Sequence, residues 1–284
     1  MMDEKKSALG DPKRLCALVL LLSGACGSMS QTWYLASYAA DIEKATKAIE
    51  AARDHGERAR AYDERGRGYS EKARYSRAFK LIAADEYDRL FDLAIKDQDQ
   101  AVALAPGSTQ VYLGRGLTYY NRAALEDLEG PKAKALFGSA ESDFTRAIER
   151  DGSNAQALDM RGVVHTALGD LDRAIADFSL LAPIDPHLGQ LRLAEAYCER
   201  GSAYQKASNF EAAISDYEKS IEYGTGGGGC ECQPESPLAW IFSEKKQYDK
   251  SWDVVKRAKT SGRWIAPEVI EELKKASPSK DKSS

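Results

Sequence analysis

RGVVH at residues 161–165, followed by AIADF at 174–178, is a pair of short motifs that recurs along the chain. The first motif returns as RGRGY at 65–69, RGLTY at 115–119 and RGSAY at 200–204. The second motif returns as AIKDQ at 94–98, AESDF at 140–144 and AISDY at 213–217. Because all four pairs occur in the same order, the pattern predicts a repeat protein.

Each pair of motifs has the composition of a helix hairpin. The glycine of the first motif, such as Gly162, lets the second helix pack closely, because a larger side chain would hold the two backbones apart. The alanine and the ring of the second motif, such as Ala174 and Phe178, then fill the facing surface. LGD at 168–170 marks the turn between the helices, and IDP at 184–186 marks the end of the unit.

These motifs resemble the tetratricopeptide repeat (TPR), a helix–turn–helix unit that stacks into a solenoid. Units at 155–188 and 194–223 keep the spacing of that family, with twelve positions from the motif glycine to the motif alanine. The resemblance implies an all-α fold, a right-handed superhelical solenoid of TPR helix hairpins.

Two further units, near 59–106 and 109–152, depart from this spacing. The motif glycine and alanine are Gly66 and Ala94 in the first of them, and Gly116 and Ala140 in the second. In both units the motif glycine and the motif alanine are therefore at least twice as far apart in sequence as in the regular units. The inserted residues are helical in composition, so we expect lengthened helices in the N-terminal units.

The two ends of the repeat array carry additional segments. A helix at 32–54 is expected to pack on the first full unit. A Gly-rich loop at 224–237 precedes a degenerate TPR hairpin and a capping helix at 238–276, with Pro267 placed for a helix start. The polar tail at 277–284 is expected to be disordered.

Residues 1–25 have the order of a secretory signal peptide. Four basic side chains precede the apolar stretch Leu15–Leu22, and small residues follow it. Eight helical residues cover about 12 Å of a hydrocarbon core about 30 Å thick, so the stretch is too short to span a bilayer. We expect residues 1–25 to direct export.

SGAC, which ends at Cys26, resembles the bacterial lipobox, in which the cysteine is acylated before cleavage. Ser23 departs from that pattern, because leucine is expected at its position. The resemblance implies lipidation of Cys26, and Gly27 after it implies an outer-membrane lipoprotein that faces the periplasm. Soluble export to the periplasm or the medium, and an uncleaved anchor, are the alternatives.

Composition argues against several classes of function. The chain has 40 Lys and Arg against 44 Asp and Glu, so it lacks the positive excess of a general nucleic-acid binder. Its three histidines are far apart in sequence, which argues against a metal site. No enzyme motif stands in the context that its chemistry needs. We therefore predict no catalytic residue, no metal and no cofactor, while the oligomeric state and the disulfide state of Cys198, Cys230 and Cys232 stay open.

The TPR resemblance implies a partner-binding groove lined by the first helix of each hairpin. Counting from the motif glycines assigns groove positions that include Arg60, Asp63, Arg67, Leu113, Leu117, Tyr120, Gln156, Asp159 and Gln205. Leu113, Leu117 and Tyr120 form the expected apolar anchor for a bound peptide. The alternative is that the inserts or a neighbouring subunit cover these positions.

Arg60, Arg67 and Arg74 recur every seven residues and share one helical face. One interpretation is a surface for an anionic partner, either an acidic peptide or lipid headgroups. The other is pairing within the helix, because Arg60–Glu64, Asp63–Arg67 and Arg67–Glu71 are all i,i+4 pairs.

The sequence thus predicts a non-catalytic protein–protein interaction scaffold of the bacterial cell envelope. A partner peptide or protein would bind in the TPR groove, and a lipid anchor would hold the chain at the membrane. The alternative is a periplasmic ligand-handling module that works with a solute-binding protein or transporter. An open, solvated groove favours the scaffold, and a closed apolar pocket favours the ligand-handling module.

Overall fold

The computed structural model describes residues 27–125, 130–224 and 233–277. Within these ranges the chain forms helices and no strand, so the predicted all-α class is confirmed. The helices are α1 (Gly27–Ala51), α2 (His55–Ala78), α3 (Ala84–Leu104), α4 (Thr109–Ala123), α5 (Pro131–Arg150), α6 (Ala155–Ala167), α7 (Leu171–Leu181), α8 (Pro186–Lys206), α9 (Phe210–Tyr223), α10 (Glu235–Glu244), α11 (Tyr248–Thr260) and α12 (Pro267–Ala276).

Three predicted features lie outside the described residues. They are the signal peptide with the lipidation site Cys26, most of the Gly-rich loop, and the tail from residue 278 onward. Among the helices that are described, none is long and apolar enough to cross a membrane.

The helices belong to two compact units, one ending at Ala133 and the other beginning at Lys134. In the first unit α1 packs on α2, α2 packs on α3, and α4 contacts both α2 and α3. The expected packing of an N-terminal helix on the first hairpin is therefore found. Tyr34 and Ala45 are buried side chains of α1.

The second unit is a series of hairpins. Helix α6 packs on α7, α8 packs on α9, and α10 packs on α11, while α8 also contacts α7 and α10 contacts α9. Helix α12 lies against α10 and α11 and begins with Pro267, as expected for a capping helix. Its Leu273 is fully buried.

The helix lengths agree with the predicted lengthening of helices in the N-terminal units. Helices α2 and α3 have 24 and 21 residues, whereas α6 and α7 have 13 and 11. The start of one helix differs from the prediction. Helix α8 begins at Pro186, whereas its unit was expected to begin at residue 194. The Asp185 side chain accepts a hydrogen bond from the backbone N–H of Leu188, and Pro186 occupies the first turn. The IDP segment therefore starts the next helix as well as ending a unit.

The turns inside the hairpins of the second unit share the same backbone geometry. Gly169, Ser208 and Lys246 each have a positive φ, and the N–H of the following residue donates to a carbonyl five residues earlier. This arrangement satisfies carbonyls that the end of the first helix leaves without a helical partner. Lys80 closes α2 in the same way in the first unit.

The motif glycines are positions of close helix contact. A Cβ atom on Gly162 would lie 2.3 Å from Cε1 of Phe178, and one on Gly201 would lie 3.0 Å from the Tyr217 ring. In the first unit a Cβ atom on Gly66 would lie 2.9 Å from the carbonyl oxygen of Ala94. The predicted role of the glycine, close approach of the second helix, is confirmed at these three sites.

We predict that Gly162→Ala lowers the free energy of unfolding by about 1–3 kcal/mol, because the buried Phe178 ring must shift to accept the methyl group. Gly138→Ala is the control, since Gly138 lies in α5 with nothing within 4 Å of an added Cβ. It should raise the free energy of unfolding by up to about 1 kcal/mol through helix propensity. Urea unfolding followed by circular dichroism measures both. Equal effects of the two substitutions would contradict the packing described here.

Candidate functional site

An Arg–Asp pair joins the two recurring motifs in three of the repeats. Nε and Nη2 of Arg161 donate to the two carboxylate oxygens of Asp177 at 3.0 and 2.6 Å. Arg200 donates in the same two-pronged way to Asp216 at 2.7 and 2.8 Å. Arg65 donates likewise to Asp97 at 2.7 and 2.8 Å. The arginine that opens the first motif therefore binds the aspartate in fourth place of the second motif.

These carboxylates are buried, with side-chain exposures of 8% for Asp97 and 4% for Asp177 and Asp216. A buried carboxylate needs a cation or several hydrogen bonds, because burial removes its hydration. The pKa of the Arg200 guanidinium is raised by its hydrogen bond to Asp216, against an opposing effect of burial. The pairs fix the rotation of each first helix and so determine which of its faces is left for a partner.

His165 adds an imidazole to the Arg–Asp pair of its repeat. Its Nδ1 lies 3.1 Å from Oδ2 of Asp177, and its Nε2 lies 3.2 Å from Oε1 of Glu141 on α5. Burial lowers the pKa of His165, but the two carboxylates outweigh it and raise that pKa above the ordinary 6.5. The pKa of Asp177 is lowered, because the hydrogen bonds from Arg161 and the neighbouring His165 imidazole outweigh its burial.

In the first unit, the predicted arginine face is partly occupied by internal pairs. Arg67 binds Asp63, which is buried at 2% exposure, so the predicted Asp63–Arg67 pair is found. Arg74 donates to Glu71 at 2.6 Å. The expected Arg60–Glu64 and Arg67–Glu71 pairs are not formed in the described structure, and Arg60 is exposed. Burial raises the pKa of Asp63, although Arg67 opposes this effect.

The structure corrects part of the predicted apolar anchor of the second repeat. Leu113 is 3% exposed, and it is a core residue here instead of a surface contact. Leu117 and Tyr120, on the same helix α4, are half-buried. Counting from the motif glycine predicted Leu113 on the groove face. The count does not include the packing of the lengthened helices against α4.

In the second unit, the predicted groove residue Asp159 binds an arginine that was not among the predicted groove positions. Arg192 on α8 donates to Asp159 on α6 at 2.7 Å and to Glu195 at 3.3 Å. Burial lowers the pKa of Arg192, but the hydrogen bond to Asp159 and both carboxylate charges raise it overall. This group links the first helices of two successive hairpins. No short motif in the sequence marks Arg192, so no local pattern could have indicated its role.

The other predicted positions of this unit differ in their surroundings. Gln156 is exposed on α6, and Gln205 accepts a hydrogen bond from the Tyr217 hydroxyl at 2.7 Å. Burial and the nearby charge of Glu195 raise the pKa of Glu199. We call Gln156, Asp159, Arg192, Glu195 and Glu199 the polar face. No set of three or more His, Cys, Asp or Glu side chains in the described ranges is arranged to hold a metal ion.

Comparison with known families identifies the repeats. Residues 133–188 and 194–223 match family models described as tetratricopeptide repeat. The chain therefore contains tetratricopeptide repeats in these two ranges, and the second range has the bounds predicted from the sequence.

Curated relatives are similar over parts of their length. The chain is 32% identical over 84 residues to tetratricopeptide repeat protein 14 of Mus musculus, which is 29% of this chain and 11% of that protein. It is 28% identical over 133 residues to serine/threonine-protein phosphatase 5 of Homo sapiens, which is 46% of this chain and 24% of the phosphatase. The chain thus spans less than a third of the length of these relatives.

Two solved structures are similar over most of their own chains. A thermophilic TPR protein of Thermus thermophilus is 20% identical, with 74% of this chain and 94% of that chain covered and a TM-score of 0.42. MamA is 19% identical, with 62% and 91% covered and a TM-score of 0.41.

We predict that Arg200→Met lowers the free energy of unfolding by about 3 kcal/mol or more, because it leaves the Asp216 carboxylate buried without its cation. Arg257→Met is the matched control, since Arg257 pairs with Asp253 on the surface at 62% and 60% exposure. That substitution should change stability by less than about 1 kcal/mol. Thermal and urea unfolding compare the two variants. A loss at Arg200 no larger than that at Arg257 would refute the role assigned to the pair.

The raised pKa of His165 predicts a pH dependence of stability. The charged imidazole is favoured in the folded state, so its contribution is complete below the ordinary pKa of 6.5 and is lost as pH rises through the folded pKa. The wild-type protein should therefore lose more stability than His165→Gln between about pH 5.5 and about pH 8.5. His187→Gln, which removes an exposed imidazole, controls for the loss of a histidine. Parallel pH profiles of wild type and His165→Gln would rule out this effect.

Proposed function

We propose that the chain is a non-catalytic interaction scaffold of the bacterial cell envelope, which binds a peptide or protein partner on the first helices of its repeats. The observation that carries this proposal is the polar face of the second unit. Arg192 is 30% exposed there, Glu195 is 35% exposed and Gln156 is exposed, so polar groups are available to a partner. The Asp159–Arg192 pair holds two first helices together before any partner arrives. Such preorganisation lowers the ordering cost of binding for the scaffold.

The charges of the polar face favour one class of partner. Asp159 and Glu195 pair with Arg192, and Glu199 lies one turn beyond Glu195, so the three carboxylates of the polar face outnumber its one cation. A segment with lysine or arginine side chains complements this surface, and electrostatic complementarity contributes to specificity and association rate.

The alternative, a ligand-handling module, calls for a closed apolar pocket. A surface concavity of the second unit is lined instead by polar side chains of α5, among them Glu141, Ser142, Thr145 and Arg146. Small-molecule sites are usually lined mainly by hydrophobic and aromatic side chains. This concavity therefore does not have the lining that the ligand-handling module calls for.

A disulfide bond supports export of the chain, and with it the envelope location in this proposal. Cys198 is buried at 1% exposure and is disulfide-bonded. Disulfides persist in oxidising compartments and are rare in the bacterial cytosol.

The proposal includes a lipid on Cys26 and an outer-membrane location. Mass spectrometry of the mature N-terminus tests it: an added lipid at Cys26 is expected, and a free amine at Cys26 without added lipid would refute the anchor.

Photo-crosslinking tests the partner site. We expect a benzoylphenylalanine at position 156 to capture a defined protein in intact envelopes, because Gln156 is exposed on the polar face. The same probe at position 176 is the control, since Ala176 is exposed on the second helix of the same hairpin. Added salt should weaken the adduct at 156, because the face is charged.

Two results would contradict the scaffold. One is equal capture from positions 156 and 176, which would mean that the polar face is not selective. The other is no protein adduct at 156 while native mass spectrometry shows a small molecule retained by the purified chain. The second result would favour the ligand-handling module.

A further inference from the structure

The N-terminal half of α1 has an unusual composition for a helix at the start of a compact unit. Residues 27–40 contain no Asp, Glu, Lys or Arg, whereas residues 41–50 contain five such side chains. Trp33 lies in this uncharged stretch and is 53% exposed. The helix therefore presents an apolar ring to solvent in the half that follows the apolar stretch Leu15–Leu22 in the sequence.

Trp33 is one end of a continuous set of rings. Its ring centroid is 5.1 Å from that of Tyr34, which lies 5.1 Å from that of Tyr75 on α2. Tyr75 also contacts Tyr38 at 6.0 Å and Phe79 at 4.7 Å. We call these five residues the aromatic end of α1 and α2. It is exposed at both extremes, because Phe79 at the C-cap of α2 is 50% exposed.

The charges next to the aromatic end are mixed. Arg77 and Lys80 flank Phe79 and are exposed, and Arg77 lies over the Tyr87 ring at 5.2 Å. Asp85 and Glu86 in the first turn of α3 are exposed as well. The surface therefore has no strong net charge, and its character is set by the rings. Tyrosine and tryptophan side chains combine an apolar body with a polar tip and are enriched where a membrane meets water.

We infer that the aromatic end of α1 and α2 lies in the interfacial layer of a lipid bilayer. Helix α1 begins at Gly27, and Trp33 is six residues further along, which is about 9 Å at 1.5 Å per residue. The interfacial layer of each leaflet is roughly 5–8 Å thick. A chain tethered at Cys26 with α1 inclined to the membrane plane therefore reaches the interface with Trp33. This inference rests on the proposed membrane tether, and it adds a protein surface to that tether.

Quenching by brominated lipid tests the inference in the full chain. The protein is reconstituted in vesicles of phosphatidylethanolamine and phosphatidylglycerol, with and without bromine on the acyl chains. We expect tryptophan emission to be quenched by the brominated vesicles, and Trp33→Phe to remove most of that quenching. Trp264→Phe is the matched control, because Trp264 is 54% exposed in the second unit, and it should leave the quenching in place.

A second pair of variants tests the other exposed ring. Phe79→Ser should reduce the quenching of Trp33 at least twofold, since it removes the second apolar contact with the interface. Leu180→Ser is its control, because Leu180 is 56% exposed in the second unit, and it should have no effect. Circular dichroism of each variant establishes that the helices are retained.

The outcomes separate the surface from the tether. Flotation of the chain with vesicles, combined with quenching that Trp33→Phe does not change, would overturn the surface and leave the tether standing. Quenching through Trp33 in a Cys26→Ser chain would support the surface and show that it binds lipid without the tether. A chain that neither floats nor shows quenching would overturn both. A concentration-dependent blue shift of Trp33 emission without lipid quenching would assign the surface to a second copy of the chain, and would also overturn the inference.

Discussion

The Arg–Asp pair between the two helices of a hairpin is the interaction on which the repeats depend. An aspartate buried against a neighbouring helix is costly unless a cation reaches it. Each observed pair meets that need with two parallel hydrogen bonds, whose planar geometry allows little rotation of one helix about the other. The glycine that follows each of these arginines brings the backbones close enough for the contact. Rotation of the first helix, and with it the choice of the exposed face, follows from this arrangement.

The same interaction explains how the repeats tolerate inserts. Arg161 and Arg200 reach aspartates 16 positions further along the chain, and Arg65 reaches one 32 positions further along. The additional residues extend α2 and α3 beyond the pair, toward their connecting turn, and leave the paired section in place. An insertion that lengthens both helices together preserves the motif register, whereas one that lengthened only one helix would not.

Much of this architecture could be predicted from the sequence. Repetition of two motifs indicated the hairpins, and residues such as Gly169, Asp170 and Pro267 marked turns and helix starts through local backbone preferences. Contacts between distant residues could not be predicted in the same way. The motifs contain the arginine and the aspartate, but only the folded hairpin shows that they bind each other. Leu113 and Arg192 illustrate the same limit, because burial and pairing depend on helices whose packing no local pattern specifies.

The proposed function depends on the orientation that these pairs maintain, since the polar face is formed by first helices held in fixed rotation. A double-mutant cycle at Arg65 and Asp97 tests the strength of such a pair most directly, because this pair spans the longest insert. The cycle compares Arg65→Met, Asp97→Asn and the double variant by urea unfolding. A coupling energy above about 1.5 kcal/mol is expected for a buried pair that fixes the hairpin. A coupling energy below about 0.3 kcal/mol, the size expected of independent sites, would contradict the central role given to the Arg–Asp pairs.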